Sequence, residues 1–172
     1  YTAVSAGFPM EKSFFHGNNK TDADIAFAID NKVGYFVVDN LDELAALNRI
    51  AGEKGVKQKI LLRVTPGIDP HTHKKISTGS VESKFGIAIE TGQALEAVDA
   101  ALGLKNIRLC GYHCHIGSQI FESEPFGTAS EIMLGFIKDT AEKTGYTPEM
   151  LNLGGGFGVR YTENDPEIDY EK

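Results

Sequence analysis

The chain is short of several things at once, and each shortage closes off a class of protein. No stretch approaches the roughly 20 apolar residues needed to cross a bilayer, and the opening residues do not read as a secretory signal. Positive charge is scarce: the formal net charge is −7, which argues against nucleic acid or another polyanion as partner. The densest basic stretch, Lys54 to Lys59, is brief and interrupted. Cysteine is limited to Cys110 and Cys114. The pattern places both in one strand, on the same face, with Cα atoms about 13 Å apart at roughly 3.3 Å per residue. A disulfide needs less than about 7 Å. Two free thiols point to a reducing compartment, so a cytoplasmic protein is expected.

What is present suits a folded domain. At 172 residues, 41% of them hydrophobic and 24% charged, the chain can bury one real core. It begins at Tyr1 rather than Met, and the structured pattern starts at once. The expectation is a segment of a longer polypeptide.

Short apolar runs alternate with amphipathic stretches. Strands are predicted at Ser13–Gly17, Gly34–Asp39, Lys59–Val64, Ile107–His115 and Met150–Leu153. Between them lie four helical patterns. Thr21 can cap the first, which runs to about Asn31, with Asp22 and Asp24 favourable in its first turn. The second starts at Asn40 or Asp42 and aligns Leu41, Leu44, Ala45, Leu47 and Ile50 on one face. The others cover Thr91–Ala101 and most of Pro125–Lys143. A long polar loop fills Gly67 to about Lys84, and loops of that length in compact domains are usually functional. The tail from Tyr161 is acidic and irregular. Strand-helix alternation implies a parallel α/β fold. Two forms compete: a doubly wound open sheet, or part of a (β/α)8 barrel, since a complete barrel needs about 200 residues or more.

Polar groups gather just after the strands. His16, Gly17, Asn18 and Lys20 follow the first; Arg63 and Thr65 end the third; His113, His115 and Ser118 end the fourth; a glycine run ends the fifth. The C-terminal ends of parallel strands host active sites, so an enzyme or small-ligand binder is expected.

Gly154-Gly155-Gly156-Phe157-Gly158 suits an anion, because amides without a neighbouring Cβ can approach a phosphate closely. It is neither a Walker loop nor a dinucleotide fingerprint, and a tight turn without ligand is equally compatible. His113 and His115 share a strand face. They could begin a metal site, but no third ligand stands out, and no metal is expected. They could also be satisfied interior histidines, or an imidazole could stack on a flat ligand. Ser118 beside Gly117 suits a phosphate oxygen. Arg63 stands where a strand interior is normally apolar and needs partners: a carboxylate, a ligand or a histidine.

Together these residues resemble the alanine-racemase-like, fold-type III pyridoxal-phosphate decarboxylases over nearly the whole chain. The segments that carry the likeness are Phe15-His16-Gly17-Asn18-Asn19-Lys20, Leu62-Arg63-Val64 with Pro66-Gly67, Ser83-Lys84-Phe85-Gly86-Ile87, His113-Cys114-His115-Ile116-Gly117-Ser118-Gln119, and Leu151-Asn152-Leu153-Gly154-Gly155-Gly156-Phe157-Gly158. Pro66-Gly67-Ile68-Asp69-Pro70-His71-Thr72-His73 with Thr78-Gly79 resembles the diaminopimelate branch of that family. The arginine, ornithine and carboxynorspermidine decarboxylases remain open, as does a non-catalytic module that holds pyridoxal phosphate or another phosphate.

The resemblance implies a partial (β/α)8 TIM barrel, strands three to seven of the domain that binds pyridoxal 5'-phosphate. His115 would stack on the cofactor ring. Ser118 and the Gly154, Gly155 and Gly156 amides would hold its phosphate, and Arg63 would help orient the histidine. The parent would decarboxylate meso-2,6-diaminopimelate to L-lysine as a homodimer with its site at the subunit interface. The Schiff-base lysine would lie in a Tyr-Ala-x-Lys-Ala-type segment before Tyr1. A Glu-Pro-Gly-Arg segment and a β-domain would lie beyond Lys172. The 172 residues by themselves are therefore expected to be inactive and, with apolar strand edges open, prone to associate.

Overall fold

A computed structural model describes residues 1–68 and 85–166 of the chain. Most of the predicted polar loop, including His71, His73, Thr78, Gly79, Ser83 and Lys84, and the end of the acidic tail lie outside the described residues.

Among the described residues there are six parallel strands: β1 (Phe14–Phe15), β2 (Tyr35–Val38), β3 (Gln58–Thr65), β4 (Ile87–Ala88), β5 (Ile107–His113) and β6 (Met150–Asn152). In the same described residues five α-helices, α1 (Thr2–Ser5), α2 (Asp22–Asp30), α3 (Leu41–Glu53), α4 (Gln93–Gly103) and α5 (Glu124–Thr144), and one 3-10 turn at Met10–Lys12 accompany them. The short α1 and β4 are additions to the sequence reading. β4 is two residues that pair with the C-terminal end of β3, too short to leave a periodic signal.

Helix starts follow local chemistry. Thr21 accepts from the Asp24 amide while the Asp24 side chain reaches back to the Thr21 amide, a capping box. Asn40 caps α3 by accepting from the Glu43 amide at 2.8 Å. α5 carries Pro125 in its first turn and ends at Gly145, whose φ of +73° is left-handed.

The sheet runs β1-β2-β3-β5-β6, in chain order and parallel throughout, with β4 beside β3. A doubly wound sheet would reverse that order and carry helices on both faces. Here the helices cover one face. Ile60, Leu62 and Val64 of β3 join Ile25, Leu44, Leu47, Val98, Met133 and Phe136 of the helices in a single core. The opposite face holds a separate small cluster of Val37, Leu61 and Cys110, flanked by Phe14, Tyr35 and Met150. Sequential winding with one helical face is barrel construction.

One expectation fails. Cys110 and Cys114 do not share a face. Ile60 pairs with Leu109 and Leu61 with Gly111, so Cys110 is the extra residue of a β-bulge. The bulge flips the alternation: Leu109 and Tyr112, three apart, both enter the helix-side core with Cys114, while Cys110 turns to the concave face. Both are free and buried, and burial raises both thiols, Cys114 to about 11. Next to the bulge, a Cβ at Gly111 would meet the Met150 carbonyl oxygen at 1.8 Å, so β5 and β6 can approach only with glycine there. Among the described residues no helix is long and apolar enough to cross a membrane.

Candidate functional site

Because the strands are parallel, their C-terminal ends lie together. His16 follows β1, Arg63 is near the end of β3, His113 ends β5 and Asn152 ends β6. With His115, Gly154 and Gly155 they line a cavity of about 420 Å³, within the usual range for small-ligand sites.

The predicted strand through His115 stops at His113, after one further bond from the Cys114 amide to the Asn152 carbonyl. The backbone then turns out of the sheet and leaves His115 half-buried at the cavity wall. Burial lowers the His115 pKa, the Arg63 guanidinium lowers it further, and a hydrogen bond with the Gly155 main chain opposes them. His113 is 4% exposed. Burial above all, then His16, Arg63 and His115, push its pKa down to about 3, so it is neutral at ordinary pH. Its buried Nδ1 has no hydrogen-bond partner among the described residues. His16 packs edge-on against it, ring centroids 4.9 Å apart, and its own pKa is lowered by burial and Arg63. Among the described residues no three His, Cys, Asp or Glu gather as metal ligands.

Arg63 finds the carboxylate that its position demanded. Its guanidinium lies 3.4 Å from Asp39 Oδ1 and 4.7 Å over the Phe85 ring, while Asp39 Oδ2 accepts from the Gly86 amide at 3.2 Å. Asp39 is only 3% exposed. The sequence reading placed it at a strand end without a role; a lone acid closing an apolar strand was the available signal. Lys20 is no free amine. Its three donors go to Gly17 O at 2.6 Å, Val37 O at 2.9 Å and Glu43 Oε1 at 2.8 Å.

The glycine run is built as a cradle. Gly154 (φ +78°) would drive a Cβ to 2.5 Å from the Cys114 carbonyl oxygen and 3.1 Å from His115 Nδ1. Gly156 (φ +110°) would place one 1.9 Å from the Gly117 carbonyl oxygen. A Cβ on Gly155 would meet nothing within 4 Å. The Gly154 amide already donates to Asn152 Oδ1 at 2.8 Å, a partner the sequence did not announce.

Ser118 does not line the cavity and is exposed, yet its segment is fastened to the glycine run. Ile120 donates to the Gly156 carbonyl, and Gly158 donates to the Ile120 carbonyl. Gln119 and Val159 exchange side-chain-to-main-chain bonds of 3.0 and 2.8 Å. His115, Ser118 and the glycine run thus belong to the same end of the sheet.

The whole chain, residues 1–172, matches the family described as pyridoxal-dependent decarboxylase, pyridoxal binding domain. It is 49% identical to a diaminopimelate decarboxylase of Bacillus methanolicus over 98% of this chain and 39% of that protein. The crystal structure of diaminopimelate decarboxylase from M. jannaschii superposes with a TM-score of 0.86 at 36% identity, over 96% of this chain and 38% of the other. That of Helicobacter pylori diaminopimelate decarboxylase complexed with L-lysine superposes with a TM-score of 0.81 at 32% identity, over 97% and 41%. The chain thus spans about two-fifths of the relatives it matches.

Proposed function

This chain belongs to the pyridoxal-dependent decarboxylase family, and on that premise we propose that its cavity holds pyridoxal 5'-phosphate in a parent enzyme that decarboxylates meso-2,6-diaminopimelate to L-lysine. The observation that carries the reading is the meeting of His115, Arg63 and a Cβ-free cradle at one end of a partial (β/α)8 barrel. The donor set suits the group: a flat imidazole for a ring, main-chain amides and a hydroxyl for a phosphate, and a buried imidazole nitrogen that has no partner among the described residues. Relatives of the same chemistry, one of them complexed with L-lysine, support the substrate class.

When bound, the cofactor supplies an electron sink for the pair left behind as carbon dioxide departs. The chain's own residues bind and orient. His115, held neutral by burial and Arg63, offers an uncharged aromatic face to the ring. The Gly155 and Gly156 amides, with the Ser118 hydroxyl from the neighbouring segment outside the cavity lining, would donate to the phosphate. Gly154 contributes shape rather than a donor, because its amide is committed to Asn152. The Arg63 guanidinium, a permanent cation fixed by Asp39 and Phe85, keeps positive potential beside the imidazoles.

The test is the full-length parent supplied with the cofactor. A visible absorption band from bound cofactor and carbon dioxide release from meso-diaminopimelate, well above that from ornithine, arginine or lysine, are expected. No cofactor band would overturn the site assignment; a preference for ornithine or arginine would overturn the substrate.

A further inference from the structure

Behind the cavity, and outside its lining, lies a second charged system. The Lys20 and Glu43 side chains are 2% and 4% exposed and 2.8 Å apart. Burial raises the Glu43 pKa, and the Lys20 hydrogen bond opposes that rise. Replacing such a buried pair by apolar residues often costs nothing in stability, and the best-attested use of buried ion pairs is to fix registry. The hydrogen bonds show what registry is at stake. Lys20 joins the loop after β1, through Gly17 O, to the end of β2, through Val37 O. Glu43 Oε2 accepts from the Asp39 amide at 3.2 Å, and the Glu43 amide donates to Asn40 Oδ1, the N-cap of α3. Two grips, on Val37 and on Asp39, therefore hold the two ends of a three-residue stretch whose last carboxylate carries Arg63.

We propose that Lys20 and Glu43 are positioning residues: a buried clamp that fixes the end of β2, and through Asp39 sets where the Arg63 guanidinium stands beside the imidazoles of the cavity. This rests on the reading of the cavity as the cofactor site, but the clamp itself touches neither cofactor nor substrate. The charge separation that the pair maintains is spent on geometry. Without it the Asp39 amide loses its acceptor and Val37 its donor, and the Arg63 guanidinium is no longer held at one distance from the imidazoles.

The experiment uses the full-length parent and two variants. Lys20→Met with Glu43→Met removes both charges at similar volume. Glu43→Gln is milder, since it keeps the shape and an acceptor for Asp39. The first readout needs no cofactor: NMR titration of the His115 ring in the cofactor-free protein. Burial acts on it most, then the Arg63 guanidinium, with the Gly155 main chain opposing, and it acts in turn on the neighbouring His16 and His113 imidazoles. In the double variant the His115 titration should rise by the part that Arg63 causes, the larger part from burial remaining, with a smaller rise in Glu43→Gln. The second readout is cofactor affinity from visible absorbance, which should fall about tenfold in a double variant that still unfolds cooperatively. A folded variant of either kind that titrates His115 as the parent does would overturn the proposal. A parent that binds no cofactor would instead overturn the cofactor reading, and the titration would still decide the clamp.

Discussion

Gly156→Ala should damage the site out of proportion to its size. A Cβ there would stand 1.9 Å from the Gly117 carbonyl oxygen, so one backbone must retreat by about 1.5 Å to reach ordinary contact. The φ of +110° lies where side chains are strained, at a cost of about 1–3 kcal/mol. Moving the two loop segments apart also breaks the bonds from Ile120 to Gly156 and from Gly158 to Ile120, each worth about 0.5–1.5 kcal/mol net. With partial relaxation the full-length parent should lose about 2–4 kcal/mol in urea unfolding. Its cofactor affinity should fall too, because Ser118 rides on the displaced segment. Gly155→Ala is the control: its Cβ meets nothing within 4 Å, so stability should stay within about 0.5 kcal/mol, as for an ordinary unobstructed change. If both variants unfold and bind cofactor like the parent, the cradle argument is wrong.

His113 gives a pH prediction. Its pKa is lowered to about 3 in the fold against 6.5 in the unfolded chain, so between those values the unfolded state binds the extra proton. Stability contributed by the neutral imidazole is complete above pH 6.5 and drains away toward pH 3, by about 1.4 kcal/mol per pH unit; His113→Phe should flatten that part of the stability profile. Ser118→Ala in the parent should weaken cofactor binding by roughly 1.5–3 kcal/mol, the worth of one hydrogen bond to a charged group, with little change in turnover at saturating cofactor. His115→Ala should lower turnover and perturb the absorption of bound cofactor, since the ring loses its stacking partner; a fully active variant would show that the stacking residue lies elsewhere. Leu62, fully buried between sheet and helices, should cost about 2–5 kcal/mol when cut to alanine, measured by unfolding with the site residues untouched.

The sequence by itself carried the architecture. Alternating apolar runs and amphipathic stretches placed the five principal strands and four helices, because burial on one face writes a period of two or 3.6 into the residues. Thr21 and Asn40 announced their helices through side-chain chemistry that acts within three residues. The same locality explains why His115, Arg63 and the glycine run could be singled out: each follows or ends an apolar strand, and parallel strands end together. What escaped was decided between distant segments. The bulge at Cys110 depends on how close β5 can come to β3 and β6, so nothing in Cys110 itself predicts that it turns from Cys114. Asp39 became the partner of Arg63, and Lys20 of Glu43, only when residues 24 and 23 apart in the chain were brought within hydrogen-bond reach. Asn152 took the Gly154 amide from the phosphate cradle because the turn after β6 folds back on its own side chain. Residue types and local order follow from short-range physics, whereas the pairing of buried charges and the choice of which amides remain free belong to the tertiary structure, where distance through space replaces distance along the chain.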